Sequence, residues 1–115
     1  MFVSWCYDKC GLIPSKLPAG NTFADVLGEI AASRGKYRTG GSYVPHPGDL
    51  IFFDWNPAGG DGIDHIAIVV NSDGSSVTWI GGNQGDGGSY AYRRVTQNTA
   101  PVNSVNIAGY WDMSN

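Results

Sequence analysis

Past Pro47 the chain changes character, and that change constrains the fold more than any other feature. Leu50-Ile51-Phe52-Phe53, Ile66–Val70 and Val77–Ile80 are short apolar runs, and clusters of Gly, Asn, Asp and Ser fill the intervals between them. Runs of this length bounded by turn residues read as strands. Ser72-Asp73-Gly74-Ser75 reads as the hairpin turn joining two of them. Tyr90–Val95 alternates and Val105–Tyr110 closes the set, so five strands are expected. Before Pro47 the spacing is helical. Phe2, Val3, Cys6 and Cys10 share one side of a first helix that Gly11 and Pro14 end. Thr22 caps a second helix, 23–34, with Phe23, Val26, Leu27, Ile30 and Ala31 on one face and Gly35 as its stop. Residues 15–21 read as a loop and 36–47 as turn-rich. Helices first and strands afterwards predict an α+β fold, with N-terminal helices packed on an antiparallel sheet of about five or six strands.

The 115 residues suit a single domain spanning 1–115, and with 42% hydrophobic against 15% charged residues a packed core is affordable. The net charge of −3, with Arg93-Arg94 as the one adjacent cationic pair, argues against a nucleic-acid partner. No apolar run approaches the roughly 20 residues that span a bilayer. Cys6 and Cys10 stand one helical turn apart, a spacing at which the side chains diverge too far for a good disulfide. Both are expected as buried thiols. Metal and cofactor sites are not expected. Asp61 and Asp64 supply too few oxygen ligands for calcium, Cys6, Cys10 and His65 lack a zinc-ligand pattern, and no helix follows Gly81-Gly82 to make a dinucleotide loop.

Two histidines remain as candidate proton-transfer groups. His46, between Pro45 and Pro47, reads as a solvated loop residue, with lining of a cleft as its alternative. His65 opens the Ile66–Val70 run, and a strand edge is a rigid place from which to aim an imidazole. Taken alone it reads as a surface residue at a strand start. Asn83 lies 18 residues later in a Gly-rich stretch and by itself reads as a turn residue. Of the aromatic residues, most are expected in the core, with Trp55, Tyr90 and Tyr92 as candidates for a groove that stacks on sugar or peptide.

Several strings, in order, carry a resemblance: FVSWCYDKCGLIP (2–14), YVPHPGDLIFFDW (43–55), DHIAIVV (64–70), IGGNQGD (80–86) and IAGYWD (107–112). Together they resemble the CHAP family, the cysteine, histidine-dependent amidohydrolases and peptidases of the papain-like NlpC/P60 group. The resemblance implies a papain-like fold and a cysteine-dependent amidase or endopeptidase acting on amide bonds of bacterial peptidoglycan. It makes His65 the catalytic base and Asn83 the residue that orients it. In the family an orienting carboxylate stands where this chain has Gly81. The family nucleophile lies in a Trp-Cys-Ala-x-Phe-Val-Ser-Trp string; with Met1 as x, that Cys falls two residues before Met1. The chain is therefore expected to be truncated just after the nucleophile, or to be an inactive copy, and to be inert without that Cys. Cys6 lies seven residues beyond the expected nucleophile, nearly on the same helix face but about 10 Å further along the axis, so it is a poor substitute. The alternative reading is a non-catalytic cell-wall binding or accessory module on the same fold. A monomer with no cofactor, at an extracellular or cell-wall location, completes the expectation.

Overall fold

The computed structural model describes residues 6, 9, 24–41, 43–55, 58, 62–81 and 96–113. Among them one helix and six strands have defined bounds: α1 (Ala24–Ser33), β1 (Tyr37–Thr39), β2 (Leu50–Phe53), β3 (His65–Ser72), β4 (Ser76–Gly81), β5 (Thr96–Pro101) and β6 (Ile107–Trp111). The strands form one antiparallel sheet in the order β1-β6-β2-β3-β4-β5.

Helix α1 stops where Gly35 takes a positive φ of 70°. Lys36 N–H then reaches back to Ala31 O (2.9 Å) and Gly35 N–H to Ala32 O (3.0 Å), the paired bonds of a Schellman cap. The helix presents Leu27 and Ala31 to the sheet, where they pack with Leu50, Phe52, Ile66 and Trp111. Gly28 allows a close approach, since a Cβ there would lie 2.6 Å from Ile63 Cδ1.

Strand β2 is buried along its whole length and divides the core. Leu50 and Phe52 face α1, while Ile51 and Phe53 face the opposite side with Ala67, Val69, Val77, Trp79, Ile107 and Tyr110. Period-two alternation accounts for the division, because successive side chains of a strand point to opposite faces. The hairpin turn is as expected: Asp73 Oδ1 accepts the N–H groups of Ser75 (2.9 Å) and Ser76 (2.8 Å), and Gly74 has φ 87°. These bonds to the anionic form lower the Asp73 pKa.

The sheet departs from the sequence reading at both edges. β1 lies inside the stretch read as turns; it is three residues long, and too short for a periodicity to declare itself. β5 has no apolar alternation at all (TQNTAP) and is held by its full ladder to β4 and by the Thr78–Thr99 hydroxyl contact at 2.8 Å. The strand expected over 90–95 and the first helix lie outside the described residues, apart from Cys6 and Lys9, which are helical. Cys6 is in no disulfide among the described residues and is half-buried rather than buried as expected, and Cys10 lies outside. Among the described residues no helix is long and apolar enough to cross a membrane.

Candidate active site

His65 belongs to the β2–β3 ladder rather than preceding it. Its Cα partner is Phe53, the last residue of β2. One residue earlier, Asp64 N–H donates to Phe53 O (2.8 Å), and Asp64 Oδ2 accepts the N–H of Trp55 (2.9 Å). Asp64, through its backbone N–H and its carboxylate, thus ties the two chain segments that leave this end of the ladder. Alternation puts His65 on the face of Ala67 and Val69, away from α1.

The imidazole is half-buried and flanked by aromatic rings. Its ring centroid lies 6.0 Å from Phe53 and 6.1 Å from Trp55. Phe53 in turn stacks on Trp55 at 4.8 Å and 13°, and meets Trp79 at 4.8 Å. Strand β2 and strand β4 therefore fix the ring that backs His65, while Trp55 remains 52% exposed. The arrangement is a ring with two protonatable nitrogens, held on a ladder and walled on one side, which suits proton transfer to a bound group.

His46 does not join it. Its side chain is 69% exposed, with Nδ1 3.2 Å from Tyr43 Oη and 3.8 Å from Asp49 Oδ2. Asp49, beside His46, precedes β2 whereas Phe53, paired with His65, ends it, so the two histidines belong to opposite ends of that strand, whose Asp49–Phe53 rise is about 13 Å. The exposure of His46 agrees with its reading as a solvated loop residue. Around His46 the structure holds a tie that sequence reasoning missed. Asp49, only 2% exposed, accepts the Tyr43 hydroxyl (2.7 Å), the His46 N–H (2.9 Å) and the Met113 N–H (3.0 Å). Burial and the neighbouring Asp49 carboxylate push the Tyr43 phenol well above its usual pKa. Pro47-Gly48-Asp49 signalled the local turn, with Gly48 at φ 93°, but nothing in the string signalled Met113.

Asn83 lies outside the described residues, and the expected nucleophile position falls before Met1. Gly81, at the family's carboxylate position, is the buried last residue of β4. Among the described residues no three His, Cys, Asp or Glu side chains gather as metal ligands.

A family model, the CHAP domain, matches residues 1–83. The chain belongs to the CHAP domain family. No curated protein and no solved structure matches it. CHAP membership brings a papain-like fold and a peptidoglycan-related amidase or peptidase role, which is the setting in which His65 is to be understood. The matched stretch contains β1 to β4 and His65, yet the CHAP sheet here is completed by β6, which lies beyond residue 83 and between β1 and β2.

Proposed function

We propose that this CHAP domain is the His-bearing body of a cysteine-dependent amidase or endopeptidase that cleaves amide bonds of the bacterial cell wall. His65 takes the proton of a cysteine thiol and later delivers it to the leaving amine. The thiolate attacks the amide carbonyl carbon, the C–N bond breaks to leave an acyl-enzyme, and water hydrolyses the thioester. The nucleophile is a cysteine of the family's Trp-Cys-Ala string, and a helix N-terminus, where the dipole and free N–H groups favour thiolate and oxyanion, is the position that suits it. Asn83 orients the imidazole by accepting a ring N–H through its amide oxygen.

The observation that carries the reading is the placement of His65, fixed in a ladder, half-buried and backed by Phe53 and Trp55. A turbidity assay on cell walls tests it. The 115-residue chain is expected to leave walls intact, and the same chain preceded by Trp-Cys-Ala is expected to clear them. His65→Ala in the extended chain should slow clearing by about 10²–10⁴-fold. Clearing by the unextended chain, or an undiminished rate with His65→Ala, refutes the assignment. Gly81 in place of the family's orienting carboxylate favours a second reading, a non-catalytic wall-binding module. It predicts that the extended chain sediments with walls and never clears them.

A further inference from the structure

Resting on that hydrolase reading, we propose that Asp64 is a positioning residue for His65, fixing the plane of the imidazole by latching Trp55 beside it. The need follows from the histidine itself. Its terminal torsion joins an sp³ to an sp² carbon and has no sharp staggered wells, so neither the strand nor the rotamer sets the ring plane. Neighbouring rings must set it. The imidazole lies almost equally far from the Phe53 ring (6.0 Å between centroids, 33°) and the Trp55 ring (6.1 Å, 27°), at a shallow angle to both. Phe53 is secured as the buried last residue of β2, against Trp79 at 4.8 Å. Trp55 lies past the end of β2 and is 52% exposed, so its ring is held only as well as the chain segment that carries it.

Asp64 does that holding where the ladder stops. Phe53 and His65 are the last Cα partners of β2 and β3. Continued in the same register, the ladder would set Trp55 opposite Ile63, with Ile63 on the face of His65, Ala67 and Val69. Ile63 instead packs with the α1 cluster on the other face, its Cδ1 close against Gly28. The chain therefore turns over between Ile63 and His65, and Asp64 stands at the turn. Its Oδ2 takes the Trp55 N–H at 2.9 Å, while its own N–H donates to Phe53 O at 2.8 Å. The preceding amide, Asp54 N–H, donates to Asn106 O at 2.9 Å, just before β6. Two successive amides are thus held from the β6 side and the β3 side in turn. That keeps the segment extended, and residues i and i+2 of an extended segment share a face. Trp55 accordingly stacks on Phe53 at 4.8 Å and 13° and lies beside His65.

The Asp64–Trp55 bond is exposed, so it adds little to global stability; its effect is on the direction of one ring. Losing it frees Trp55 to leave the stack, opens one wall beside the imidazole and lets the ring turn out of line. A general base that is out of line loses rate rather than substrate affinity. The latch requires an acceptor oxygen and not a charge, so an amide oxygen in the same place can replace the carboxylate.

Two measurements test the latch. The first uses the 115-residue chain alone and needs no turnover: nuclear Overhauser cross-peaks between the His65 ring protons and the Trp55 indole. They are expected in the unaltered chain and in Asp64→Asn. They should vanish in Asp64→Ala, with the thermal midpoint moved by no more than about 5 °C. The second is the clearing of cell walls by the chain preceded by Trp-Cys-Ala, followed against wall concentration. Asp64→Ala should lower the saturated rate by about 10–10²-fold and leave the half-saturating concentration within about twofold. Trp55→Ala should do the same, while Asp64→Asn and Trp55→Phe should keep most of the rate. Asp64→Ala combined with Trp55→Ala should be no slower than either change alone, since both break one latch. Cross-peaks that persist in Asp64→Ala, a loss as large in Asp64→Asn as in Asp64→Ala, or additive losses in the pair overturn the proposal. A collapse of the thermal midpoint marks a general structural role and overturns it too. Clearing that Asp64→Ala leaves undiminished overturns the latch and leaves the hydrolase reading standing. Cross-peaks that follow the acceptor oxygen, in an extended chain that clears nothing, support the latch and overturn the hydrolase reading.

Discussion

Replacing Asp49 with alanine isolates what holds the start of β2 to the chain segment after β6. The carboxylate is 2% exposed and accepts three hydrogen bonds, from the Tyr43 hydroxyl, the His46 N–H and the Met113 N–H. His46 is exposed, so its N–H turns to water at little cost. All three bonds are part-buried, and each of the other two, made to a charged acceptor, is worth about 1.5–3 kcal/mol. Asp49→Ala should therefore destabilise the domain by about 3–5 kcal/mol, a large share of the 5–15 kcal/mol of an ordinary domain. The midpoint of thermal unfolding should fall by about 10–20 °C. Asp49→Asn keeps one acceptor oxygen but turns an NH₂ group toward a donor, so it should lose roughly half as much. Urea unfolding followed by circular dichroism measures both, with an unchanged slope showing that the native state is still compact. A loss below about 0.5 kcal/mol for Asp49→Ala, the scale of an ordinary surface substitution, refutes the tie.

Tyr110 is fully buried, its hydroxyl has no hydrogen-bond partner among the described residues, and burial pushes its pKa up to about 12. Its neutral form is thus favoured by folding: stability is fully present below about pH 10, the unfolded phenol's pKa, and is lost as pH rises toward 12. Tyr110→Phe removes the unpaired hydroxyl and should leave stability unchanged or raise it by up to about 1 kcal/mol at neutral pH, with a shallower loss at alkaline pH; a marked destabilisation at neutral pH counts against an unpaired hydroxyl. Gly109→Ala should destabilise by about 1–3 kcal/mol, because the new Cβ would stand 2.5 Å from Tyr37 Oη and 2.7 Å from Arg38 O, and amide exchange should accelerate first along β1.

The elements that were legible in the sequence are those whose local signals and tertiary environment agree. Gly35 ended the helix at a positive φ, and the uninterrupted apolar string Leu50–Phe53 proved to be a strand buried at every residue. Thr96–Pro101 was illegible because an edge strand with exposed side chains needs no apolar period; its order comes from β4 beside it. Asp49 announced a turn, but its bond to Met113 joins residues 64 apart, and no local string encodes such a pairing. At the site, His65 was singled out by its position at a strand start together with the family strings, while Trp55 was one of three aromatic candidates with nothing local to separate it from Tyr90 and Tyr92. The ring-to-ring proximity of His65 and Trp55 follows from the Phe53–His65 register, which periodicity cannot supply.

Among the described strands the last in chain order is not at an edge of the sheet: β6 lies between β1 and β2. A nascent chain emerging from the ribosome can pair β2 with β3 and β3 with β4, but β1 has no partner until Trp111 has cleared the exit tunnel. Until then one edge of β2 stands open, an apolar strand with unpaired backbone groups and a template for association between copies. A chain that stops short of residue 107 leaves that edge of β2 uncovered, so Ile107–Trp111 is the segment that closes it.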